Sequence, residues 1–173
     1  MSNQLRHLIA RFAAQKTTPF SLRELWHHGR AAGDKRVLNA KFLHRELPIR
    51  LASRLQELNN LPAGLTHNGH VQKIIGWYSG YLLRVADAPV PVCGQSEADF
   101  TVLVEEILED NTHVVSTVAR GVLELKAELG IHYTPQLSRN IKEALNRFFM
   151  SRTGLRFIME QVRGSDENCG CRP

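Results

Sequence analysis

The chain has 173 residues and a formal net charge of +5. This length is enough for one domain with a sizeable hydrophobic core and is short for two. Hydrophobic residues make up 43% of the chain and charged residues 23%, a composition that argues against wholesale disorder. No apolar run approaches the ~20 residues of a membrane-spanning helix, so no integral membrane segment is predicted. Three cysteines cannot form a disulfide framework, which favours a reducing compartment.

The positive charge is concentrated in the N-terminal part of the chain. Residues 1–54 contain eleven Lys or Arg against three acidic residues, whereas residues 55–173 have a net charge of −3. A basic half attracts acidic partners, which include nucleic acid, anionic lipid and acidic protein domains. A solvated charged face explains the same pattern equally well.

The first 20 residues form a basic amphipathic segment with an apolar stripe at Leu5, Leu8, Ile9 and Phe12. No acidic residue occurs before Glu24. This composition is typical of a mitochondrial transit peptide and also of an ordinary first helix that packs on a core. Both interpretations stay open at the level of sequence.

The next elements all have helical spacing. Ser21 and Glu24 fit a capping box, which predicts a short helix that ends near Gly29. Residues 35–59 predict a long helix with a leucine stripe, in which Pro48 is expected to cause a kink or a restart. A further helix is predicted over residues 68–86, with Tyr78 on its inward face.

The C-terminal half predicts two more long helices. Apolar residues recur in steps of three and four over residues 96–129, which predicts one helix that ends at Gly130. Residues 135–162 predict the last helix. The fold class is therefore all-α: an antiparallel four-helix bundle over residues 21–163, with short N-terminal helices packed on it. Residues 164–173 are predicted to be a disordered tail.

The sequence contains no recognised catalytic or metal-binding motif. Neither G-x-x-x-x-G-K-S/T nor G-x-G-x-x-G occurs, so no phosphate-binding loop is predicted. Cys169 and Cys171 on a loose tail make a weak metal site, and zinc binding is not expected. No catalytic residue and no metal ligand are predicted.

Three polar residues interrupt the apolar stripes on three different predicted helices: Tyr78, Asn111 and Arg152. Arg156 follows Arg152 by one turn. A buried guanidinium must be paired, or it costs several kcal/mol. One interpretation is a bound anion or carboxylate inside the bundle, held by the two arginines and oriented by the Tyr78 hydroxyl. The other is a structural network in which Arg152 bonds to backbone carbonyls or to a surface acid such as Glu109 or Asp110.

Three sequence blocks match motifs of one known protein family. Residues 42–52 read FLHRELPIRLA and are similar to the motif F-L-x-x-E-L-P-V/I-R-L-A. Residues 119–124 resemble an A-Q-G-V-x-E block. Residues 147–152 read RFFMSR and, with Arg156, resemble R-F-Y-M-S-R-x-x-x-R. These blocks resemble the mitochondrial pyruvate dehydrogenase kinase family, of which the branched-chain ketoacid dehydrogenase kinases are sisters. They occur in the family's order, and the resemblance covers about residues 11–161.

The resemblance implies a helical regulatory domain of a kinase in the mitochondrial matrix that phosphorylates serine and inactivates a 2-oxoacid dehydrogenase complex. It implies pyruvate dehydrogenase and the lipoyl domains of the transacylase core as partners, with no nucleic acid. ATP and magnesium are implied for the full-length family and no cofactor for this chain. The family's homodimer is expected only together with its ATP-binding domain.

The resemblance also assigns two sets of site residues. A pocket for a small carboxylate would be lined by Leu51, Tyr78, Asn111, Arg152 and Arg156. A lipoyl-domain docking face would use Leu22, Leu25, Phe42 and Leu43, and the basic half of the chain would suit an acidic lipoyl domain. The alternative for these four residues is that they only pack the opening helices onto the bundle.

The sequence departs from the family's pattern in ways that affect function. Asn111 stands where the family has histidine and Leu108 where it has arginine, so the carboxylate pocket is expected to be weaker or retuned. The resemblance stops at Gln161, and the family's ATP-binding motifs do not follow. This chain alone is therefore expected to be inactive as a kinase. A short isoform, a fragment and a mispredicted gene product would each explain that ending.

Three other functions are alternatives to this interpretation. A histidine phosphotransfer bundle would use His113, just off the apolar stripe of its helix. A stand-alone module that binds lipoyl domains is a further alternative. Nucleic-acid binding by the basic half would predict a steep dependence on salt, and the sequence has no recognised motif for it.

Overall fold

A computed structural model of the chain describes residues 3–19, 34–62 and 64–163. Within these ranges the chain forms six α-helices and three short 3-10 turns, and it contains no strand. The helices are α1 (Asn3–Ala13), α2 (Asp34–Asn59), α3 (Gly69–Asp87), α4 (Gly94–Asp110), α5 (Val114–Leu129) and α6 (Pro135–Arg163). The predicted all-α helical bundle is confirmed. The short helix predicted from Ser21 to Gly29 lies outside the described residues.

The core of the bundle lies around α2, which packs against α1, α3, α4 and α6. The leucine stripe of α2 is buried as predicted, with each side chain at most 2% exposed: Leu43, Leu47, Leu51, Leu55 and Leu58. Side-chain pairs join α3, and the residue just before it, to the next two helices. Arg84 pairs with Glu106 of α4, and the Asn68 amide donates to Glu124 of α5 at 3.0 Å.

The N-terminal segment forms an amphipathic helix that packs on the bundle. Leu5 and Ile9 are buried, and α1 contacts α2. The packing confirms that this stripe can act as part of the core. A targeting role for the same residues stays a prediction.

Helix α2 continues through Pro48, so the predicted restart is wrong. Proline removes one backbone hydrogen bond, the one that residue 48 would donate to the carbonyl of residue 44. Leu47 and Ile49 on either side are buried. The packing of these flanking residues stabilises helical backbone where the local bond is missing.

The single helix predicted over residues 96–129 is wrong as well. The structure has α4 and α5 instead, separated by the 3-10 turn Asn111–His113. Asparagine lowers the stability of a helix interior because its side chain bonds to nearby groups in other conformations. The turn places Asn111, which is fully buried, where α6 can reach it.

The end of α5 and the length of α6 agree with the sequence. Gly130 follows α5 with φ of 48°, a left-handed value that favours glycine. Helix α6 begins at Pro135, as predicted, and its residues Ile141, Phe148, Leu155 and Met159 are buried. Among the described helices, none is both long enough and apolar enough to cross a membrane.

Candidate functional site

Arg152 of α6 is a buried cation, with 9% of its surface exposed. Its Nε donates to the Asn111 side-chain oxygen at 3.2 Å, and its Nη2 donates to the Asn111 backbone carbonyl at 2.5 Å. Over residues 3–19, 34–62 and 64–163, no carboxylate forms an ion pair with this guanidinium. Burial lowers the pKa of Arg152, and the charge of Arg156 lowers it further. Its contacts are therefore neutral acceptors, and the charge itself is not neutralised by them.

Asn111 connects the other two polar residues. Its side-chain oxygen accepts from Arg152 and, at 3.5 Å, from the Tyr78 hydroxyl. Its side-chain nitrogen is buried and has no hydrogen-bond partner among the described residues. An unpaired buried donor costs about 1–3 kcal/mol, so this nitrogen is available to an acceptor that enters the bundle.

Tyr78 of α3 is fully buried between aromatic rings. Its ring centre lies 5.8 Å from that of Tyr81 and 6.0 Å from that of Phe148. Burial raises the pKa of Tyr78, and the bond to Asn111 offsets part of that shift. The phenol is therefore neutral near pH 7 and has one proton to donate.

The structure brings Tyr78, Asn111 and Arg152 together, as the interrupted stripes predicted. Leu51 is fully buried in the core of the same bundle. Arg156 is half-buried, and its Nη2 lies 3.1 Å from Glu160 on the same helix. The alternative structural network is also present in part, since Arg152 does bond to a backbone carbonyl.

The four residues predicted for lipoyl-domain docking differ in exposure, and two of them are not described by the structure. Leu22 and Leu25 lie outside the described residues. Phe42 is half-buried, and Leu43 is 2% exposed within the core. The burial of Leu43 agrees with the alternative in which it packs the bundle. Of the two predicted docking residues on α2, Phe42 is therefore the one that a partner could contact.

Similarity to known proteins assigns the family. The profile described as mitochondrial branched-chain alpha-ketoacid dehydrogenase kinase matches residues 19–163. The chain belongs to this family. The resemblance seen in the sequence blocks is thereby confirmed, and it extends to the end of α6.

Curated proteins similar to the chain are mitochondrial pyruvate dehydrogenase kinases. The chain is 32% identical over 154 residues to a mitochondrial pyruvate dehydrogenase (acetyl-transferring) kinase of Arabidopsis thaliana, and the match covers 88% of the chain and 41% of the relative. It is 31% identical to the human mitochondrial isozyme 1 of that kinase, a match that covers 87% of the chain and 34% of the relative. The human isozyme 4 is 29% identical, with 88% of the chain and 37% of the relative covered. The chain thus spans well under half the length of these relatives.

One of the family blocks has a structural role that the sequence did not reveal. Glu46, in the ELPIRLA block, is fully buried. It accepts hydrogen bonds from the backbone N–H of Thr18 at 3.1 Å and from the Thr18 hydroxyl at 2.5 Å. Arg50 lies 3.6 Å from the same carboxylate and donates to the Thr18 carbonyl at 2.6 Å. The block therefore fastens the segment after α1 to α2.

A second feature missed from the sequence is the arginine at position 54. Its side chain is only 11% exposed, although it lies among the basic residues that were interpreted as a solvated or docking half. It pairs with Glu57 one turn further on, at 2.9 Å. The leucines on either side of it could have indicated burial, because Leu51 and Leu55 are both on the core stripe.

His113, the residue of the phosphotransfer alternative, ends the 3-10 turn and is exposed. Its backbone carbonyl accepts from the hydroxyls of Ser116 and Thr117, at 3.0 and 2.8 Å. Both bonds run from the first turn of α5 back to the end of the preceding 3-10 turn. No contact of its ring indicates a site for phosphoryl transfer within the part of the chain that is described.

Proposed function

We propose that this chain is the regulatory and partner-docking domain of a mitochondrial protein-serine kinase that acts on the pyruvate dehydrogenase complex. We further propose that it binds a small carboxylate at Tyr78, Asn111 and Arg152. Family membership and the names of the curated relatives support the kinase assignment and a mitochondrial location, with the matrix as the proposed compartment. The transferase activity is proposed only for a longer protein, because phosphoryl transfer needs bound ATP and metal.

The observation that supports the carboxylate site is the unneutralised charge of Arg152. Its guanidinium is buried, yet its hydrogen-bond acceptors are neutral: the two oxygens of Asn111 and the Tyr78 hydroxyl. Next to it lie an unpaired amide nitrogen and a phenol. A carboxylate at this point would neutralise the charge and accept from the guanidinium and the amide nitrogen. The Tyr78 hydroxyl would donate to it in place of its long, 3.5 Å bond to Asn111. Leu51 would contribute an apolar wall.

Asn111 makes this site differ from the family's pattern. A histidine at that position can donate from a charged ring, whereas an amide donates without charge. The positive charge of the site then comes from Arg152, with Arg156 at its edge. We therefore expect carboxylate affinity to depend mainly on Arg152.

A binding experiment tests this proposal. Calorimetric titration is expected to show that pyruvate and acetate bind to the wild-type chain. Arg152→Met is expected to lower the affinity for both at least about tenfold, because it removes charge-assisted hydrogen bonds. Asn111→Asp is the sharper variant, because it places an internal carboxylate beside Arg152 while the shape is kept. It should abolish binding and leave the fold intact.

The matched control is Arg120→Met, which removes one exposed arginine from α5 and should leave the affinity unchanged. Both variants are first shown to be folded by their cooperative unfolding. If Arg152→Met and Asn111→Asp then bind pyruvate and acetate as tightly as the wild-type chain does, the proposed site is refuted. Failure of both carboxylates to bind the wild-type chain would refute it too.

Partner docking is tested with the lipoyl domain of the transacylase core. The lipoylated domain is expected to bind the chain more tightly than the unlipoylated one, and higher salt should weaken both because the chain's basic half attracts an acidic partner. Phe42→Ala should weaken binding of the lipoylated form about tenfold.

Phe157→Ala provides the control for that experiment, since Phe157 is an aromatic residue on α6 with 46% of its surface exposed. It should leave the affinity for the lipoyl domain unchanged. Equal binding of lipoylated and unlipoylated domains would contradict the proposed docking mode.

A further inference from the structure

Helices α5 and α6 leave an open groove between them on the surface of the bundle. The two helices follow one another in the chain, yet α5 packs against α3, whereas α6 packs against α2 and α4. The groove between their facing sides has a volume of about 390 Å³, within the usual range for a small-molecule site. It is separate from the interior site, because none of Tyr78, Asn111 and Arg152 lines it.

The walls of this groove are apolar. Five side chains of α5 between Val115 and Leu123 form one wall, and Leu145 and Phe149 of α6 form the other. Val115 and Leu123 are 48% and 66% exposed, so part of the apolar surface is in contact with water. Ala119 in the first wall contributes only a methyl group, so a larger side chain there would fill space that is now empty. Apolar surface exposed in this way marks a site that a ligand or partner covers.

One end of the groove has a lysine on each helix. Lys126 follows Val122 by one turn on the same side of α5, and its Nζ lies 6.0 Å from the ring centre of Tyr133. Lys142 precedes Leu145 by nearly one turn on the same side of α6. Lys126 is in the last turn of α5 and Lys142 in the second turn of α6, and residues 130–134 connect the two helices. Both lysines therefore lie at the end of the groove next to this connection.

The described residues do not neutralise these two charges. Neither lysine forms an ion pair with an acidic side chain in the part of the chain that the structure describes. Glu124 instead pairs with His70 at 2.9 Å, on the side of α5 that faces α3. Glu160 lies about five turns beyond Lys142 on α6 and pairs with Arg156. The groove is thus apolar along its walls and positive at one end.

We propose that the groove between α5 and α6 binds a free medium-chain fatty acid, with the carboxylate at Lys126 and Lys142 and the aliphatic chain along the apolar walls. The distance along α5 from Val115 to Lys126 is about 16 Å, enough for such a chain. Apolar walls supply affinity in proportion to the area they cover, and lysine ammonium groups supply mobile point charges for a carboxylate. A groove walled on both sides suits a single chain better than the surface of a bilayer.

The experiment compares octanoate, octanol and acetate in calorimetric titrations of the full 173-residue chain at constant ionic strength. Octanoate is expected to bind at least about tenfold more tightly than acetate, because only octanoate covers the apolar walls. Octanol should bind about fivefold more weakly than octanoate, because it lacks the charge that the two exposed lysines attract. The double variant Lys126→Met and Lys142→Met should lower the affinity for octanoate to that for octanol and leave octanol unchanged.

A second variant tests the apolar walls. Ala119→Trp should abolish the binding of both octanoate and octanol, because the indole would occupy the groove. Ala127→Trp is the matched control, since Ala127 is an exposed alanine of α5 that does not line the groove, and it should change neither affinity. Arg120→Met, which removes an exposed cation that is also outside the groove, should leave octanoate unchanged. Each variant is first shown to unfold cooperatively.

The outcomes distinguish this groove from the interior carboxylate site. Arg152→Met should leave the affinity for octanoate unchanged. If Arg152→Met weakens octanoate and the lysine double variant does not, octanoate occupies the interior site and the inference is overturned. Octanoate that binds no more tightly than acetate overturns it as well.

Other occupants of the groove would give different results. If the chain sediments as a dimer, does not bind octanoate and becomes monomeric in Ala119→Trp, a second copy covers the groove and the inference is overturned. Binding to phosphatidylglycerol vesicles without binding of free octanoate would assign the groove to a membrane surface and overturn it too.

Discussion

Glu46→Ala is expected to lower the free energy of unfolding by about 3–5 kcal/mol, the cost of breaking a buried ionic network by removing one partner. The carboxylate is fully buried and accepts from both the backbone and the hydroxyl of Thr18. Without it, the Thr18 N–H loses its acceptor and Arg50 loses its counter-charge. Equilibrium unfolding in urea, followed by circular dichroism, measures the change.

Glu128→Ala is the control for this experiment, because Glu128 is an exposed glutamate on α5. A surface substitution of this kind should change stability by no more than about 0.5 kcal/mol. A loss below about 1 kcal/mol in Glu46→Ala would show that the segment after α1 is not fastened through this carboxylate. The loss of stability in Glu46→Gln should lie between those of Glu46→Ala and Glu128→Ala, because the glutamine amide keeps one acceptor oxygen.

The helices of this chain could be predicted because their apolar residues repeat with helical spacing. The break between α4 and α5 could not. Ile107 and Val114 are both fully buried, and their spacing of seven residues is the same in one continuous helix as in two helices joined by a short turn. Asn111 marked the correct position, but its polarity alone indicated an interrupted stripe and not an interrupted helix.

The candidate site could be predicted only where a polar residue stood at an apolar position. Tyr78, Asn111 and Arg152 all met that condition, and the structure joins them by hydrogen bonds. Glu46 could not be assigned its role in this way, because its partner Thr18 is 28 residues distant in sequence. Long-range pairs of this kind have no periodic signal, since they depend on how the elements pack.

Arg54 illustrates the same limit for charge. Counting cations over the N-terminal half indicated a basic face, and a count cannot tell an exposed arginine from a buried one. Arg45 is exposed and Arg54 is 11% exposed on the same helix. The difference follows from the position of each around the helix relative to the leucine stripe.

Phe148→Ala is expected to destabilise the bundle by about 3–5 kcal/mol, because it removes a large buried ring and leaves a cavity. Phe148 is fully buried on α6, with its ring centre 5.5 Å from that of Phe149 as well as close to Tyr78. Urea unfolding measures the loss. Phe157→Ala on the same helix, where the ring is half in solvent, should cost less than about 1 kcal/mol.

The same variant separates packing from ligand binding. Phe148 makes no hydrogen bond to a carboxylate, but its ring positions the Tyr78 phenol that would donate to one. At a temperature where Phe148→Ala is fully folded, this variant should therefore lower the affinity for pyruvate less than Arg152→Met does. Phe148→Leu should recover most of the stability, since it refills much of the cavity. If Phe148→Ala abolished pyruvate binding while Arg152→Met retained it, the apolar wall and not the guanidinium would determine affinity, and the proposed chemistry of the site would be wrong.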